Sequence, residues 1–310
     1  MTPRSMAIAI LGIGMLGAQA FAADPARPGT VNYVEGAAYL EGQPLNSKDV
    51  GSATLEPGQE LRTGAGKAEV LLTPGVFLRL NSNSTIKMVS PDLTLTQVEL
   101  EKGRAGVEVD ELHQQNNLQI VDAGVTTRLD KNGYYEFDAN KPMAMVFKGK
   151  ASVELGDGRS REIKEHHDLL LGGVADQSLA KEKSASFDTH ASEDDLYNWS
   201  SLRSEYLAES NNEVAGEYAA AGYYPGWYWN PYGWGYTFIG AGPFYSPFGW
   251  GFYPLGWGGW YGGYYGRGYY GHGYYGHGYG GVARGGEVGG FHGGGMGGGG
   301  FHGGGGGGHR

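Results

Sequence analysis

KAEVLLTPGVFLRL, at residues 67–80, is the stretch of this sequence that decides the fold. A run of alternating side chains reaches a Pro74-Gly75 turn, and a second run of five residues follows it. In the second run three aliphatic side chains occupy alternate positions, whereas Phe77 and Arg79 lie between them. Because successive side chains of a strand point to opposite faces, this pattern predicts two strands with one face on a core and the other in water.

Similar short runs, separated by turns that contain glycine, continue through residues 29–173. The further candidate strands are residues 94–100, 105–109, 118–121, 134–138, 144–147 and 151–155. Strands at intervals of roughly 8–12 residues, with turn signals between them, favour an all-β sandwich, barrel or small solenoid. We therefore predict a mainly β fold, with a single β-sandwich or short β-solenoid-like domain over residues 24–173, which is long enough to bury one core.

The spacing of glycines and apolar residues in this region resembles a known family. The residues that carry the resemblance are Gly29-Thr30-Val31, Gly36, Leu55, Gly58, Leu61-Arg62-Thr63-Gly64, Gly66 and Ala68, with Val146, Gly149 and Val153 further on. Together they resemble the FecR-type domain of bacterial envelope proteins. The resemblance implies an exported β-rich domain that makes protein–protein contacts at the envelope.

One departure from that family concerns the start of the chain. A FecR-type regulator resembles a transmembrane relay, with a cytoplasmic segment that acts on a sigma factor. Here residues 1–23 have a short basic start, an apolar run over residues 6–18 and Ala20-Phe21-Ala22, a pattern typical of a cleaved signal peptide. We therefore expect an exported protein, periplasmic or at the cell surface, without sigma-factor signalling.

The alternative for the first residues is a retained membrane anchor. It is the weaker interpretation, because the apolar run is shorter than the roughly 20 residues that span a bilayer. No later stretch is long and apolar enough to span, so we expect no transmembrane span in the mature chain. The chain has no cysteine, which excludes disulfides, thiolate metal sites and a lipid-modified cysteine.

A helix is predicted after a charged and small-residue linker at residues 174–191. The predicted helix covers residues 192–220, with Ser192 as its N-cap. Its apolar stripe consists of Leu196, Trp199, Leu202 (or Arg203), Tyr206 and Leu207. The favoured interpretation is an amphipathic helix that packs this stripe on the β domain, and the alternative is an exposed stripe that recognises a partner.

Residues 221–310 have a different composition, with 38 of the 59 glycines and six of the seven tryptophans. Glycine is costly to order, so we predict a largely disordered, low-complexity tail that is prone to self-association. Local order is expected only in the aromatic block over residues 223–265. The candidate binding residues in the tail are Trp227, Trp229, Trp234, Trp250, Trp257 and Trp260, which could stack on sugar rings.

The tail histidines are candidate metal ligands, although no two of them are closer than five residues. They are His272, His277, His292 and His302, with His309 at the end of the chain. Nucleic-acid binding is not expected, because the tail has few arginines and the chain carries a formal net charge of −10. Neither an enzyme nor a cofactor is expected, because no catalytic or phosphate-binding motif occurs after residue 23.

The sequence therefore predicts a non-catalytic exported envelope protein that binds or scaffolds a protein partner through its FecR-like domain. Two alternatives stay open. One is a glycan-binding or peptidoglycan-binding protein that uses the tail tryptophans, and the other is a protein that sequesters metal through the tail histidines. The expected partner is an envelope protein or a glycan.

Overall fold

The computed structural model describes residues 27–155, 158–172, 183–230, 235–240 and 242–253. The first fourteen strands are β1 (Thr30–Leu40), β2 (Gln43–Pro44), β3 (Glu60–Thr73), β4 (Val76–Leu80), β5 (Thr85–Asp92), β6 (Leu95–Lys102), β7 (Arg104–Val109), β8 (Leu118–Asp122), β9 (Val125–Leu129), β10 (Gly133–Asp138), β11 (Met143–Lys148), β12 (Lys150–Glu154), β13 (Ser160–Lys164) and β14 (His167–Leu170). They are followed by β15 (Ala185–Ser186), α1 (Thr189–Ser192), α2 (Asp195–Ala220), β16 (Gly226–Asn230), β17 (Gly235–Ile239), β18 (Phe244–Tyr245) and β19 (Gly251–Phe252).

Strands β1 to β15 form one 15-stranded sheet that curls into a half-barrel. Its order is β13-β12-β9-β8-β6-β5-β3-β4-β7-β10-β11-β14-β15, and β1 pairs with both β2 and β3 away from this path. Neighbouring strands are antiparallel except for β6 and β8, which are parallel. The mainly β fold predicted from the sequence is confirmed.

The hairpin at residues 67–80 forms as predicted. Gly75 has φ +75° in the turn, a left-handed conformation that a residue with a Cβ rarely adopts, and Leu78 pairs with Val70 across the hairpin. The alternate aliphatic residues of β4 join Val70, Val107 and other buried residues in a single aliphatic core. This core lies on the inner face of the curled sheet.

The opposite face of β4 is not in water, and this corrects the second half of the hairpin prediction. Phe77 and Arg79 are fully buried, as are all five residues of the strand. The reason is a second layer, because α2 and the aromatic strands β16–β19 pack on this outer face. Alternation within a strand reveals two faces but not which later segment covers the second one.

The N-cap of helix α2 lies two residues later than predicted. Asp194 is the N-cap, and its carboxylate accepts from the backbone N–H groups of Leu196 and Tyr197. Ser192 instead ends the short helix α1, so its assignment as the cap was wrong. Serine and aspartate are similarly good caps, and an ion pair between Asp194 and Arg104 of β7 distinguishes them here.

No helix of the described residues is long and apolar enough to cross a membrane.

The predicted apolar stripe of α2 divides between the two interpretations. Trp199, Arg203 and the two flanking leucines Leu196 and Leu207 are buried against the sheet, which confirms packing on the β domain for that part. The buried face is also rich in polar residues, namely Ser200, Ser204, Ser210 and Asn211. Leu202 and Tyr206 instead face outward.

The aromatic block is ordered where the structure describes it, as its composition predicted. Strands β16 to β19 form two short hairpins, named here the aromatic segment. Together with Leu71 and Phe77 of the sheet and Leu207 of α2, the segment forms a second hydrophobic cluster. The cluster members contributed by the segment are Trp227, Tyr236 and Phe252, with Trp229, Phe238, Phe244 and Trp250 packed against them. The remainder of the tail lies outside the described residues.

Candidate partner-binding site

A buried ion network lies between the sheet and α2. Arg79 donates from Nε to Glu69 Oε2 at 2.6 Å and from Nη1 to Glu108 Oε2 at 2.5 Å. The three residues come from the adjacent strands β3, β4 and β7, and Arg79 stands directly opposite Glu69 in the β3–β4 register. All three side chains are at most 1% exposed. One cation is therefore held between two carboxylates at the centre of the outer face.

Two residues of α2 complete this network. Arg203 donates from Nη2 to Glu69 Oε1 at 2.9 Å, and the Ser204 hydroxyl donates to Glu108 Oε1 at 2.6 Å. Asn32 of β1 also donates to Glu69, at 2.5 Å. Two arginines thus balance two glutamates, and α2 is held to the sheet by charge and hydrogen bonds in addition to apolar contact.

The charges in this network set the ionisation of Glu69. Burial alone would raise the pKa of Glu69, but the guanidinium groups of Arg203 and Arg79 outweigh burial and lower that pKa to about 2. Burial also disfavours the charged form of Arg79 and would lower its pKa, but Glu108 and Glu69 outweigh burial and raise that pKa. Glu69 and Arg79 therefore stay ionised at neutral pH.

A second polar cluster lies at the start of α2. Arg104 of β7 bridges Glu136, at 2.6 Å, and the helix cap Asp194. The Tyr134 hydroxyl donates to Glu136 at 2.9 Å and lies 3.0 Å from Ser200 Oγ. Burial raises the pKa of Glu136 to about 7, against the lowering effect of Arg104. This cluster positions the first turns of the helix.

An open groove, named here the α2 groove, lies beside the network. It is lined by Tyr33, Val34 and Glu35 of β1, Ser47 and Val50 of the following loop, and Trp199, Leu202, Arg203 and Tyr206 of α2. Its volume is about 320 Å³. Most of its walls are aromatic or aliphatic side chains, which suits an apolar group of a ligand.

The walls of the α2 groove are held in place by specific contacts. The Arg203 guanidinium carbon lies 4.0 Å from the centre of the Tyr33 ring, and Trp199 Nε1 donates to Glu35 Oε2 at 3.1 Å. Leu202 is 59% exposed and Tyr206 is 50% exposed. The groove therefore combines a fixed floor with two apolar side chains that are open to solvent.

The residue types in the groove suit binding rather than chemistry. Among the described residues that line the groove, Ser47 carries the only aliphatic hydroxyl, and none is a histidine that could serve as its base. Within the ranges that the structure describes, no group of three His, Asp or Glu side chains is placed to hold a metal ion.

The structure places three of the predicted binding tryptophans. Trp227 is buried, with its ring 5.5 Å from that of Phe77 in an edge-to-face arrangement. Trp229 and Trp250 are half-buried, and Trp250 Nε1 donates to Ser201 Oγ of α2 at 3.3 Å. These three rings pack on the helix and the sheet, and a glycan-binding role for them stays a prediction.

The other predicted site residues lie outside the described residues. They are Trp234, Trp257, Trp260, His272, His277, His292 and His302. Their proposed binding roles therefore remain predictions from the sequence.

The residues of the ion network were missed by the sequence analysis. A signal for them does exist, because Glu69 and Arg79 interrupt two strongly apolar runs and carry opposite charges. With the turn fixed at Pro74-Gly75, both occupy the same face at cross-strand positions. Charged residues paired in this way across an otherwise apolar hairpin indicate a covered face.

Comparison with known proteins places a family match on the sheet. Residues 59–159 match the family model described as FecR protein. No curated protein matches the chain. The matched region contains the sheet half of the ion network, whereas Arg203, α2 and the aromatic segment lie beyond it.

Two solved structures of a candidate anti-sigma factor from Parabacteroides distasonis are similar to this chain. Both are 13% identical to it, and the alignments cover 42% of this chain. The TM-scores are 0.36 and 0.35. This chain spans 61% of the length of each of those proteins, less than two thirds. By the family match alone, residues 59–159 of this protein are similar to the FecR protein family.

Proposed function

We propose that this protein is a non-catalytic, exported protein of the bacterial envelope that acts by binding a protein partner in a regulatory or scaffolding role. The partner contact is the α2 groove. Export is inferred from the predicted signal peptide at residues 1–23. The regulatory class is suggested by the FecR match, because FecR-type domains resemble modules that make protein contacts at the envelope.

The observation that carries the proposal is the mixed polarity of α2. Its inward face carries the charged Arg203 and several buried serines beside its buried apolar residues, whereas Leu202 and Tyr206 point outward beside an apolar cavity. A helix on a folded domain normally keeps its large apolar side chains on the inward face. Exposed aliphatic and aromatic groups beside a preformed pocket are typical of a protein-binding surface.

The site can be tested in living cells by placing a photocrosslinking amino acid at position 202. We expect irradiation to give a discrete protein adduct of the full chain in the envelope fraction. The matched control is the same amino acid at Leu170, which is 42% exposed on β14. An adduct at both positions, or at neither, would contradict the assignment of the groove as the partner site.

Export is tested separately by fractionation of the host cell with antibody to the full chain. The expected result is a mature form, shortened by about the length of residues 1–23, outside the cytoplasm. A full-length cytoplasmic form would contradict the envelope part of the proposal without affecting the groove.

A further inference from the structure

The strand that borders the α2 groove has an open edge. One side of β1 pairs with β3 along most of its length. On the other side, Val31 donates its N–H to the Ala53 carbonyl and its carbonyl accepts from the Gly51 N–H, both at 2.8 Å. Further along, the Ala38 carbonyl accepts from the Leu45 N–H at 2.8 Å.

Between Val31 and Ala38, no strand in the described part of the chain pairs with this outer edge of β1. Val34 is half-buried and Glu35 is exposed in this interval. An unpaired strand edge presents a row of backbone donors and acceptors that favours the addition of another strand. Asn32, at the start of this interval, is fully buried, so the accessible part of the edge is the five residues 33–37, which is close to the usual length of a strand.

The open interval and the groove coincide. Tyr33, Val34 and Glu35 line the groove from the strand, while Ser47 and Val50 line it from the loop that leaves and rejoins β1. The exposed residues of α2 close a third side. A segment that pairs with β1 here would therefore direct one of its side chains into the cavity of about 320 Å³.

We propose that the α2 groove takes an extended segment of the partner protein, which adds as a strand to the outer edge of β1 at residues 33–37 and inserts one large apolar side chain between Tyr33, Trp199 and Tyr206. This rests on the proposed function and specifies the form of its partner. Main-chain hydrogen bonds to β1 supply affinity, and the aromatic cavity selects the anchoring side chain. A helical partner would leave the open backbone edge of β1 unused.

The charges at the groove specify the residues beside the anchor. Two charged side chains line the groove, Arg203 and Glu35. Arg203 is neutralised by Glu69 beneath it, whereas Glu35 accepts from the neutral Trp199 N–H. Lys67 stands opposite Glu35 in the β1–β3 register but forms its ion pair with Asp195. A net negative charge therefore remains at the groove, in a chain whose formal net charge is −10. The segment that binds carries lysine or arginine next to its apolar anchor.

The test uses a peptide array probed with the purified full chain. Each peptide has nine residues in which Thr alternates with variable positions. The central variable position holds Phe, Leu, Ala or Glu, and the nearest variable position on each side of it holds Lys, Thr or Glu. We expect retention of the Phe and Leu peptides flanked by Lys. Replacement of the central residue by Ala, or of Lys by Glu, should weaken binding at least tenfold when measured by fluorescence polarisation.

Backbone methylation tests the strand pairing directly. Two versions of the best peptide carry N-methyl groups on one or the other alternate set of amides. Because a strand added at an edge uses only one set of its amides, one version should lose at least tenfold in affinity and the other should bind like the parent. Equal binding of both versions, or equal loss, would overturn strand addition.

Matched protein variants locate the site. Ser47→Trp fills the groove from its exposed loop and should abolish peptide binding, whereas Ser82→Trp, at an exposed turn on another part of the sheet, should leave it unchanged. Glu35→Gln should weaken the Lys peptides several-fold and leave the Thr peptides unaffected. Circular dichroism and thermal unfolding of each variant confirm that the fold is retained.

Three further outcomes would each contradict the proposed binding of an extended partner segment. If no peptide on the array is retained while the photocrosslink at position 202 captures a protein, the groove is the partner site but the extended mode is wrong. If only peptides with induced helical signal bind, the occupant is a helix and the proposal fails. If the full chain forms a dimer that competes with the peptides through Ser47, a second copy is the occupant and a separate partner is excluded.

Discussion

The two faces of strands β3, β4 and β7 form two cores that are stabilised by different interactions. The inner face, with Val70, Leu78 and Val107, is aliphatic and gains stability from the removal of apolar surface from water. The outer face carries Glu69 and Arg79 at the neighbouring positions, and charge matching and a cover of later segments keep it dry. The inner core tolerates changes that keep its volume, whereas the outer core depends on every charge keeping its partner.

The largest expected effect comes from Arg79→Leu. This change leaves Glu69 with only Arg203 and leaves Glu108 without a cation, in a layer that excludes water. Breaking a buried ion pair on one side costs about 3–5 kcal/mol, and with two carboxylates affected we expect about 5 kcal/mol of lost unfolding free energy. Urea denaturation followed by tryptophan fluorescence measures the loss.

The contrast with the inner face provides the control for Arg79→Leu. Leu78→Met in the same strand keeps apolar volume and should cost less than about 1.5 kcal/mol. The quadruple variant Glu69→Leu, Arg79→Met, Glu108→Leu and Arg203→Met removes the whole network and should recover most of the stability lost by the single change. A quadruple variant as unstable as Arg79→Leu would show that the cost arises from packing rather than from unpaired charge.

The second prediction concerns the aromatic segment as part of the cover. Trp227 packs edge-to-face on Phe77 and contacts Phe238, Phe244 and Phe252. Trp227→Ala should cost about 4 kcal/mol, within the range for the removal of a buried tryptophan. Tyr224→Ala, at an 83% exposed position just before the aromatic segment, should cost less than about 0.5 kcal/mol. Equal effects would mean that the segment does not contribute to the outer core.

The two faces also differ in how far the sequence could predict them. Period-two alternation predicts that Leu78 faces a core, and the Pro74-Gly75 pair predicts the turn. Both features depend only on neighbours along the chain. The burial of Phe77 depends on Trp227, which is 150 positions away in a segment for which only local order was expected. The local sequence pattern carries no information about such a long-range contact.

The candidate site was harder to predict than the fold. Leu196, Trp199 and Leu207 of the predicted stripe on α2 are buried as expected. Leu202 and Tyr206 instead face outward, because Arg203 occupies the inward position facing Glu69. A polar residue on the inward face contradicts the usual amphipathic rule, so periodicity assigned the wrong side to part of the stripe. The groove itself joins β1 to a helix more than 150 residues later, and only the tertiary structure brings them together.

The third prediction concerns Asp122, a titratable residue of the sheet that lies outside the ion network. Asp122 at the end of β8 is fully buried, and burial raises its pKa to about 6 against a lowering by the backbone of Met143. Between the ordinary value of 3.8 and about 6, the folded chain therefore holds a proton that the unfolded chain has lost. Stability then falls as pH rises through this interval and is lowest above it.

Asp122→Asn should abolish that fall. At pH 4 the variant and the parent should have similar unfolding free energies, and at pH 8 the variant should be more stable by about 2 kcal/mol. Glu136, with a pKa of about 7, produces a fall of the same sign in both proteins, so the difference between them is the relevant measure. Asp92→Asn at an exposed position is the control, and an equal gain in both variants at pH 8 would refute the assignment to Asp122.

The smallest expected effect separates the two roles of Asp194, which caps α2 and pairs with Arg104 of the sheet. Asp194→Asn keeps a good capping side chain and removes the charge, whereas Asp194→Ala removes both. We expect a loss of about 1 kcal/mol for the cap and a smaller additional loss for the partly exposed ion pair, so Ala should cost more than Asn. Hydrogen exchange should show faster opening of the first turn of α2 in Asp194→Ala and nearly unchanged exchange in the inner strands. Equal acceleration in β4 and α2 would mean that the two cores open as one unit, and the distinction between a self-sufficient inner face and a conditional outer face would then fail.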